Sequence, residues 1–139
     1  MKTFLTYLLF ALGFQFVARI PAHCQGSWTK QLPGIGTFSS PRVTDLNGDN
    51  IDDIIVGAGR AELQASDSAV IALDGLTGEL LWSASARDQM FGSATLKDIT
   101  GDKVKDVLIS GRSAELLAIN GATGNILWRF NKQNPKKKK

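Results

Sequence analysis

The chain contains one pattern twice, and that repetition limits its fold more than any other feature. Residues 91–111, Phe-Gly-Ser-Ala-Thr-Leu-Lys-Asp-Ile-Thr-Gly-Asp-Lys-Val-Lys-Asp-Val-Leu-Ile-Ser-Gly, lie on residues 38–57, Phe-Ser-Ser-Pro-Arg-Val-Thr-Asp-Leu-Asn-Gly-Asp-Asn-Ile-Asp-Asp-Ile-Ile-Val-Gly, with one residue of drift at the flank. A second correspondence follows each, Ala72 to Trp82 matching Ala118 to Trp128 through Asx-Gly-x-Thr-Gly. A repeated unit of this size buries its apolar face only by stacking on its neighbour.

Each unit reads as four short strands. Arg42 to Thr44 and Ser93 to Lys97 are expected as first strands, and Ile54 to Val56 and Val107 to Ile109 as second strands. The second strands are apolar without alternation, which suits burial on both faces. Ala69 to Leu73 and Glu115 to Ile119 follow as third strands. Asp74-Gly75 and Asn120-Gly121 then open tight turns into fourth strands, Leu80 to Ala84 and Ile126 to Phe130. Trp28, Trp82 and Trp128 stand 54 and 46 residues apart, the longer interval holding the extra loop Arg60 to Ser68. Four strands in about 45 residues is the size of a propeller blade.

The expected fold class is therefore all-β: two four-stranded antiparallel propeller blades and, at Ser27 to Leu32 around Trp28, an orphan outer strand with no first three strands before it. A closed propeller has typically 4–8 blades, so two do not close a ring. The expected divisions are a secretory signal at 1–24, the orphan strand and linker at 25–37, blades at 38–86 and 87–130, and a basic tail at 131–139. The chain is accordingly expected to be the N-terminal part of a longer propeller or to close a ring by self-association.

The acidic loops carry the candidate chemistry. Asp45, Asn47, Asp49 and Asp53 stand at positions one, three, five and nine of the first loop, with the main-chain carbonyl of Ile51 at seven. A hard cation taking six to eight oxygens suits that set, and calcium would relieve the repulsion among three carboxylates. Gly48 at position four, Val56 at twelve and strand flanks exclude an EF-hand, which carries Gly at six and Glu at twelve between helices. The second loop keeps Asp98, Asp102, Asp106 and the carbonyl of Val104 but puts Thr100 at position three, so weaker binding is expected there. An affinity on the order of 10⁻⁴–10⁻³ M would serve in a calcium-rich exterior. The competing reading is a pair of surface Asp-Gly turns without metal.

Phe91-Gly92, the Asp-x-x-Gly-Asp-x-x-x-Asp loop and the apolar run into Ser110-Gly111 together resemble the FG-GAP or VCBS-type repeat, the blade unit of the integrin α-subunit propeller. Residues 72–82 and 118–128 resemble the blade ends of PQQ-type quinoprotein propellers. The two resemblances cover about residues 27 to 130. They imply a propeller whose loops calcium stiffens, serving adhesion, ligand binding or assembly, and they do not imply catalysis. Phe38-Ser39 in place of Phe-Gly and Thr100 in place of Asp or Asn depart from the FG-GAP pattern.

Charge and targeting complete the picture. The formal net charge is +3, but Lys2, Arg19 and Lys136 to Lys139 supply six of the 16 basic residues. The stretch between them holds ten basic against 13 acidic residues, a net −3. A slightly acidic body does not point to nucleic acid. Met1-Lys2, the apolar run Phe4 to Ala18, Pro21 and Ala22-His23-Cys24 read as a secretory signal cleaved after Cys24, placing the chain in the periplasm, at the cell surface or in the medium. The apolar run is short for a bilayer span, which needs roughly 20 residues. A mature chain would keep neither the one histidine nor the one cysteine, which closes most nucleophilic and transition-metal mechanisms. Asp52, Glu62, Asp67 and Asp88 lie off the metal pattern with no pairing that suggests acid/base work. The expected partners are an extracellular protein or carbohydrate, with the insertion Arg60 to Ser68 as the first candidate surface, and further blades or a second copy. The alternative is a piece of a quinoprotein-like or polysaccharide-degrading enzyme whose active residues lie elsewhere.

Overall fold

A computed structural model describes residues 26–37 and 39–131. The expected signal segment, Phe38 and the basic tail beyond residue 131 lie outside the described residues. The described chain is all-β, with strands β1 (Gly36–Thr37), β2 (Arg42–Thr44), β3 (Asp53–Gly59), β4 (Ser66–Leu73), β5 (Leu80–Ala86), β6 (Thr95–Lys97), β7 (Asp106–Ser110), β8 (Glu115–Ile119) and β9 (Ile126–Asn131). They form two antiparallel sheets: β3-β4-β5 with β1 and β2 on the free edge of β3, and β6-β7-β8-β9. Because β1 and β2 pair the same edge of β3, at Gly36↔Gly59 and Arg42↔Ile55, they are one inner strand interrupted around Pro41. Proline removes a ladder donor, so the interruption falls on an edge strand. Each sheet is thus a four-strand blade.

Repetition extends to register. Ile55 faces Ala72 and Ala72 faces Trp82 in the first blade; Leu108 faces Ala118 and Ala118 faces Trp128 in the second. Both blades slip by one residue at the start of the fourth strand, between Ala72 and Leu73 and between Ala118 and Ile119. One extra residue there, Leu81 or Leu127, bends the outer strand as a β-bulge does.

The main core lies between the blades. Ile55, Val70, Ala72, Trp82 and Ala84 of the first meet Val107, Ile109, Leu117 and Ile119 of the second, and Leu46, Met90 and Ala94 from the connections join them. On the far face of the first blade, Val56, Ala58, Ile71 and Leu73 pack against Trp28, Leu32 and Ile35. That cover is where the expected orphan strand needs correction: Ser27 to Leu32 forms no strand. A fourth strand is held by a ladder to a third, and among the described residues no strand pairs with this segment. Packing of Trp28 and Leu32 on the blade and the Trp28 indole N–H bond to the Gly75 carbonyl hold it instead. Among the described residues, no helix is long and apolar enough to cross a membrane.

Candidate functional site

The two acidic loops connect β2 to β3 and β6 to β7, and they fold alike. Asp45 accepts N–H bonds from Gly48 (2.6 Å) and Asn50 (2.9 Å); Asp98 accepts the equivalent bonds from Gly101 (2.6 Å) and Lys103 (3.0 Å). Asp49 accepts from the Ile51 N–H (2.8 Å) and Asp102 from the Val104 N–H (2.9 Å). These are Asx turns, in which a short carboxylate substitutes for a main-chain acceptor. Asn50 (φ 66°) and Lys103 (φ 75°) stand in the left-handed region, a conformation non-glycine residues adopt at a cost.

The ninth-position carboxylates leave the loop. Asp53 and Asp106 begin β3 and β7 and are both fully buried. Asp53 accepts from Leu46 N–H (2.8 Å) on one oxygen and from Gly75 N–H (2.9 Å) on the other. Asp106 accepts from Ile99 N–H (2.8 Å), Thr100 N–H (3.0 Å) and the Thr100 hydroxyl (3.1 Å) on one oxygen, and from Gly121 N–H (3.1 Å) on the other. Each ties its acidic loop to the turn between the third and fourth strands. Burial by itself would raise the Asp106 carboxyl, but the donors from Ile99, Gly121 and Thr100 outweigh it and hold the pKa below 3.8.

Folding also brings in two residues that the sequence marks only as turn formers. Asp74 accepts from the Thr77 N–H (2.7 Å), the Thr77 hydroxyl (2.9 Å) and the Leu76 N–H (2.9 Å), and its second oxygen receives the Asn47 amide (3.0 Å). The Thr77 donors lead in holding its carboxyl below the ordinary value. In the second blade Asn120 reaches the other way, donating its amide to Asp102 (3.1 Å). The available signal is the Asx at the same place in both units.

The predicted set therefore divides. Asp45, Asn47, Asp49 and Ile51 share one loop, as do Asp98, Thr100, Asp102 and Val104, while Asp53 and Asp106 are committed to backbone donors inside the blade. The Asn47 amide donates to Asp49 (3.3 Å) as well as to Asp74, so a donor occupies the space between two carboxylates. Thr100 turns its hydroxyl toward Asp106 rather than toward Asp98 or Asp102. Among the described residues, no group of three or more His, Cys, Asp or Glu side chains is arranged to hold a metal ion. Positions one, three and five carry the oxygen chemistry a hard cation takes, while both oxygens of each ninth-position carboxylate accept backbone N–H bonds.

A second constellation clasps the insertion. Asp88, 1% exposed, accepts from Leu63 N–H (2.9 Å), Gln89 N–H (2.8 Å) and the Ser113 hydroxyl (2.8 Å). Burial opposes its ionisation, but those donors and the Arg112 charge prevail, so its pKa is lowered. Arg112 also pairs with Glu62 at 2.7 Å and lies 4.8 Å from the centre of the Phe91 ring. The Gln89 amide donates to the Arg60 carbonyl. Leu63 is left at the loop tip, 80% exposed. Nearby, buried Glu115 accepts from Arg87 N–H (2.9 Å) and Arg129 (3.1 Å), and Arg129 reaches Ser85 of the first blade.

Comparison with known proteins gives one family. The model named PQQ_2, described as outer membrane protein assembly factor BamB, matches residues 43–138. It corresponds to the quinoprotein-type resemblance of the blade ends. Protein FAM234B of Mus musculus is 25% identical over 121 residues, covering 80% of this chain and 19% of its own length. The chain thus spans about a fifth of that relative. No solved structure matches.

Proposed function

The chain belongs to the PQQ_2 family, and on that footing we propose that it works as an exported, non-catalytic propeller module that binds a protein or carbohydrate at the cell exterior. The observation that carries this reading is the clasped insertion. Asp88, Arg112 and Gln89 hold the loop by its backbone and by Glu62, and Leu63 stands out in solvent at its tip. A loop held in place by a rigid scaffold is where binding residues are commonly carried. The name printed for the family, an assembly factor, agrees with binding rather than turnover. So does the use of the buried carboxylates: Asp53, Asp88, Asp106 and Glu115 are all engaged in holding turns and blades together.

Calcium forms a subordinate part of the proposal, held at the first loop by Asp45, Asn47, Asp49 and the Ile51 carbonyl in the FG-GAP manner. Recurrence of the oxygen pattern in both units supports it, and the commitment of Asp53 weighs against a full ligand set. Calorimetric titration of the folded chain with calcium tests this part; no heat and no thermal shift at millimolar calcium would remove it.

The binding reading is tested by placing a photo-crosslinking residue at position 63 in the exporting cell, with position 29 as control. A discrete adduct at 63 and none at 29 is expected. The alternative, a blade segment of a quinoprotein-like or polysaccharide-degrading enzyme, draws on the same family name. It would replace the binding reading if the whole protein bound a quinone cofactor or turned over a substrate while position 63 gave no adduct.

A further inference from the structure

Three dipeptides in the chain carry the same chemical weakness: Asn47-Gly48, Asn120-Gly121 and Asp74-Gly75. A glycine has no Cβ to shield its own nitrogen, so after Asn or Asp that nitrogen can attack the side-chain carbonyl carbon and close a five-membered succinimide. No enzyme is needed. Sequence alone ranks the two Asn-Gly pairs equally, and the fold separates them.

At 74–75 and 120–121 the attacking nitrogen is held in the blade. The Gly75 N–H donates to Asp53 (2.9 Å) and the Gly121 N–H to Asp106 (3.1 Å), and both acceptors are fully buried. Each glycine is also pressed against main chain: an added Cβ would stand 2.0 Å from the Asp52 carbonyl oxygen at Gly75 and 2.0 Å from that of Lys105 at Gly121. Turning either nitrogen toward the preceding side chain leaves a buried carboxylate short of a donor, a cost met before any bond forms. Gly48 differs on both counts. Asn47 and Gly48 are exposed, as is the Gly48 N–H bond to Asp45 (2.6 Å), and nothing lies within 4 Å of a Cβ added at Gly48. Water replaces that donor when the nitrogen turns.

We propose that Asn47 is a site of spontaneous deamidation, selected over Asn120 by the fold, and that its conversion unhooks the first acidic loop from the turn between β4 and β5. The Gly48 nitrogen bonds to Asn47 Cγ and gives its proton to solvent; the Cγ–Nδ2 bond breaks, and the departing nitrogen takes up a proton and leaves as ammonia. Water then opens the ring at Cγ to give Asp, or at the main-chain carbonyl to give isoaspartate, whose main chain runs one carbon longer. Either product removes the Asn47 amide that donates to Asp49 (3.3 Å) and Asp74 (3.0 Å). A carboxylate takes its place beside Asp45, Asp49 and Asp74, where like charges repel. The second loop holds Thr100 at the corresponding position, which has no amide to lose. Neither a partner at Leu63 nor calcium is required.

The test warms the full chain in mildly alkaline buffer with EDTA, once folded and once in urea, and follows each site by peptide mass spectrometry. Trypsin puts the three sites on separate peptides, 43–60, 61–87 and 113–129, and isoaspartyl methyltransferase labels the isoaspartate product. In the folded chain Asn47 should lose its amide at least about tenfold faster than Asn120, and in urea the two rates should agree within about threefold. Asn47→Asp makes one product directly. Its Gly48, Asn50 and Ile51 N–H groups, held by Asp45 and Asp49 in the parent, should exchange with deuterium several-fold faster, while Gly101, Lys103 and Val104 of the second loop keep the parent's rates. Equal loss from Asn47 and Asn120 in the folded chain overturns the proposal, as does an Asn47 amide retained while the chain in urea loses both. So does an Asn47→Asp chain whose first-loop amides exchange no faster than the parent's.

Discussion

Replacing Asp106 with alanine deletes the acceptor of four hydrogen bonds at the point where the second acidic loop meets its blade. The donors do not suffer equally. Gly121 is buried, so its N–H is left without a partner, at about 1–3 kcal/mol. Ile99 is 44% exposed and Thr100 lies on the surface, so their donors recover water and lose only the net value of each bond, about 0.5–1 kcal/mol. The sum over the four bonds is about 2.5–6 kcal/mol, a large share of the stability of a domain this size. Asp102→Ala is the comparison: it removes contacts to Val104 and Asn120 on an exposed loop and should cost under about 1 kcal/mol. Urea unfolding followed by circular dichroism, with EDTA present, measures both. EDTA matters because a carboxylate whose role is to bind metal is silent when metal is gone, whereas one that bolts backbone donors is not. An Asp106→Ala chain within about 1 kcal/mol of the parent in EDTA would refute the structural role assigned here.

Acid should destabilise the fold through the same groups. Asp88 and Asp106 have folded pKa values below 3.8, so the unfolded chain takes up protons first as pH falls. Their contribution is fully present above the ordinary carboxylate range and is lost as pH drops from about 4 through the depressed folded values. Urea midpoints between pH 7 and pH 2.5 should show this, with a shallower fall in Asp106→Ala. Gly124→Val should cost about 3 kcal/mol, from a left-handed φ of 74° and a clash with Trp82. Gly48→Ala, at φ 85° with open space around it, should cost only about 1–2 kcal/mol. Thermal melts separate the two. Trp82→Ala should cost about 3–5 kcal/mol, while Trp128→Ala, on an open face, should cost under about 1 kcal/mol.

Much of the blade is readable in advance because β-structure follows local rules. Arg42 to Thr44 and Glu115 to Ile119 are strands with the expected ends, set by turn residues on either side. The apolar run at 54–56 lies within a central strand covered on both faces, whereas the run at 107–109 is covered on one and leaves Leu108 half-buried on the other. Trp82 packs between the two sheets, as its recurrence suggested, whereas Trp28 covers the outer face of the first blade and Trp128 is 42% exposed. Ser27 to Leu32 departs from expectation because its residues have the composition of a fourth strand but, among the described residues, no strand pairs with them. Leu63 and Asp88 were unremarkable as sequence neighbours of nothing; the fold closes 25 residues between them.

The sequence by itself determined the unit, its strand order and the spacing of its turns, since periodicity and turn chemistry act within a few residues. Only the tertiary structure decided where the carboxylates point. Asp53 and Asp106 fit a ligand pattern when counted along the chain, but each is the first residue of a strand. Side chains in a strand alternate between its two faces, and at that position the direction leads into the blade, onto the N–H groups of Gly75 and Gly121. Those groups come from turns 22 and 15 residues away, a meeting that no local rule encodes. The same holds for the three tryptophans. They match in sequence but differ in exposure, because burial depends on what the rest of the fold lays against each ring.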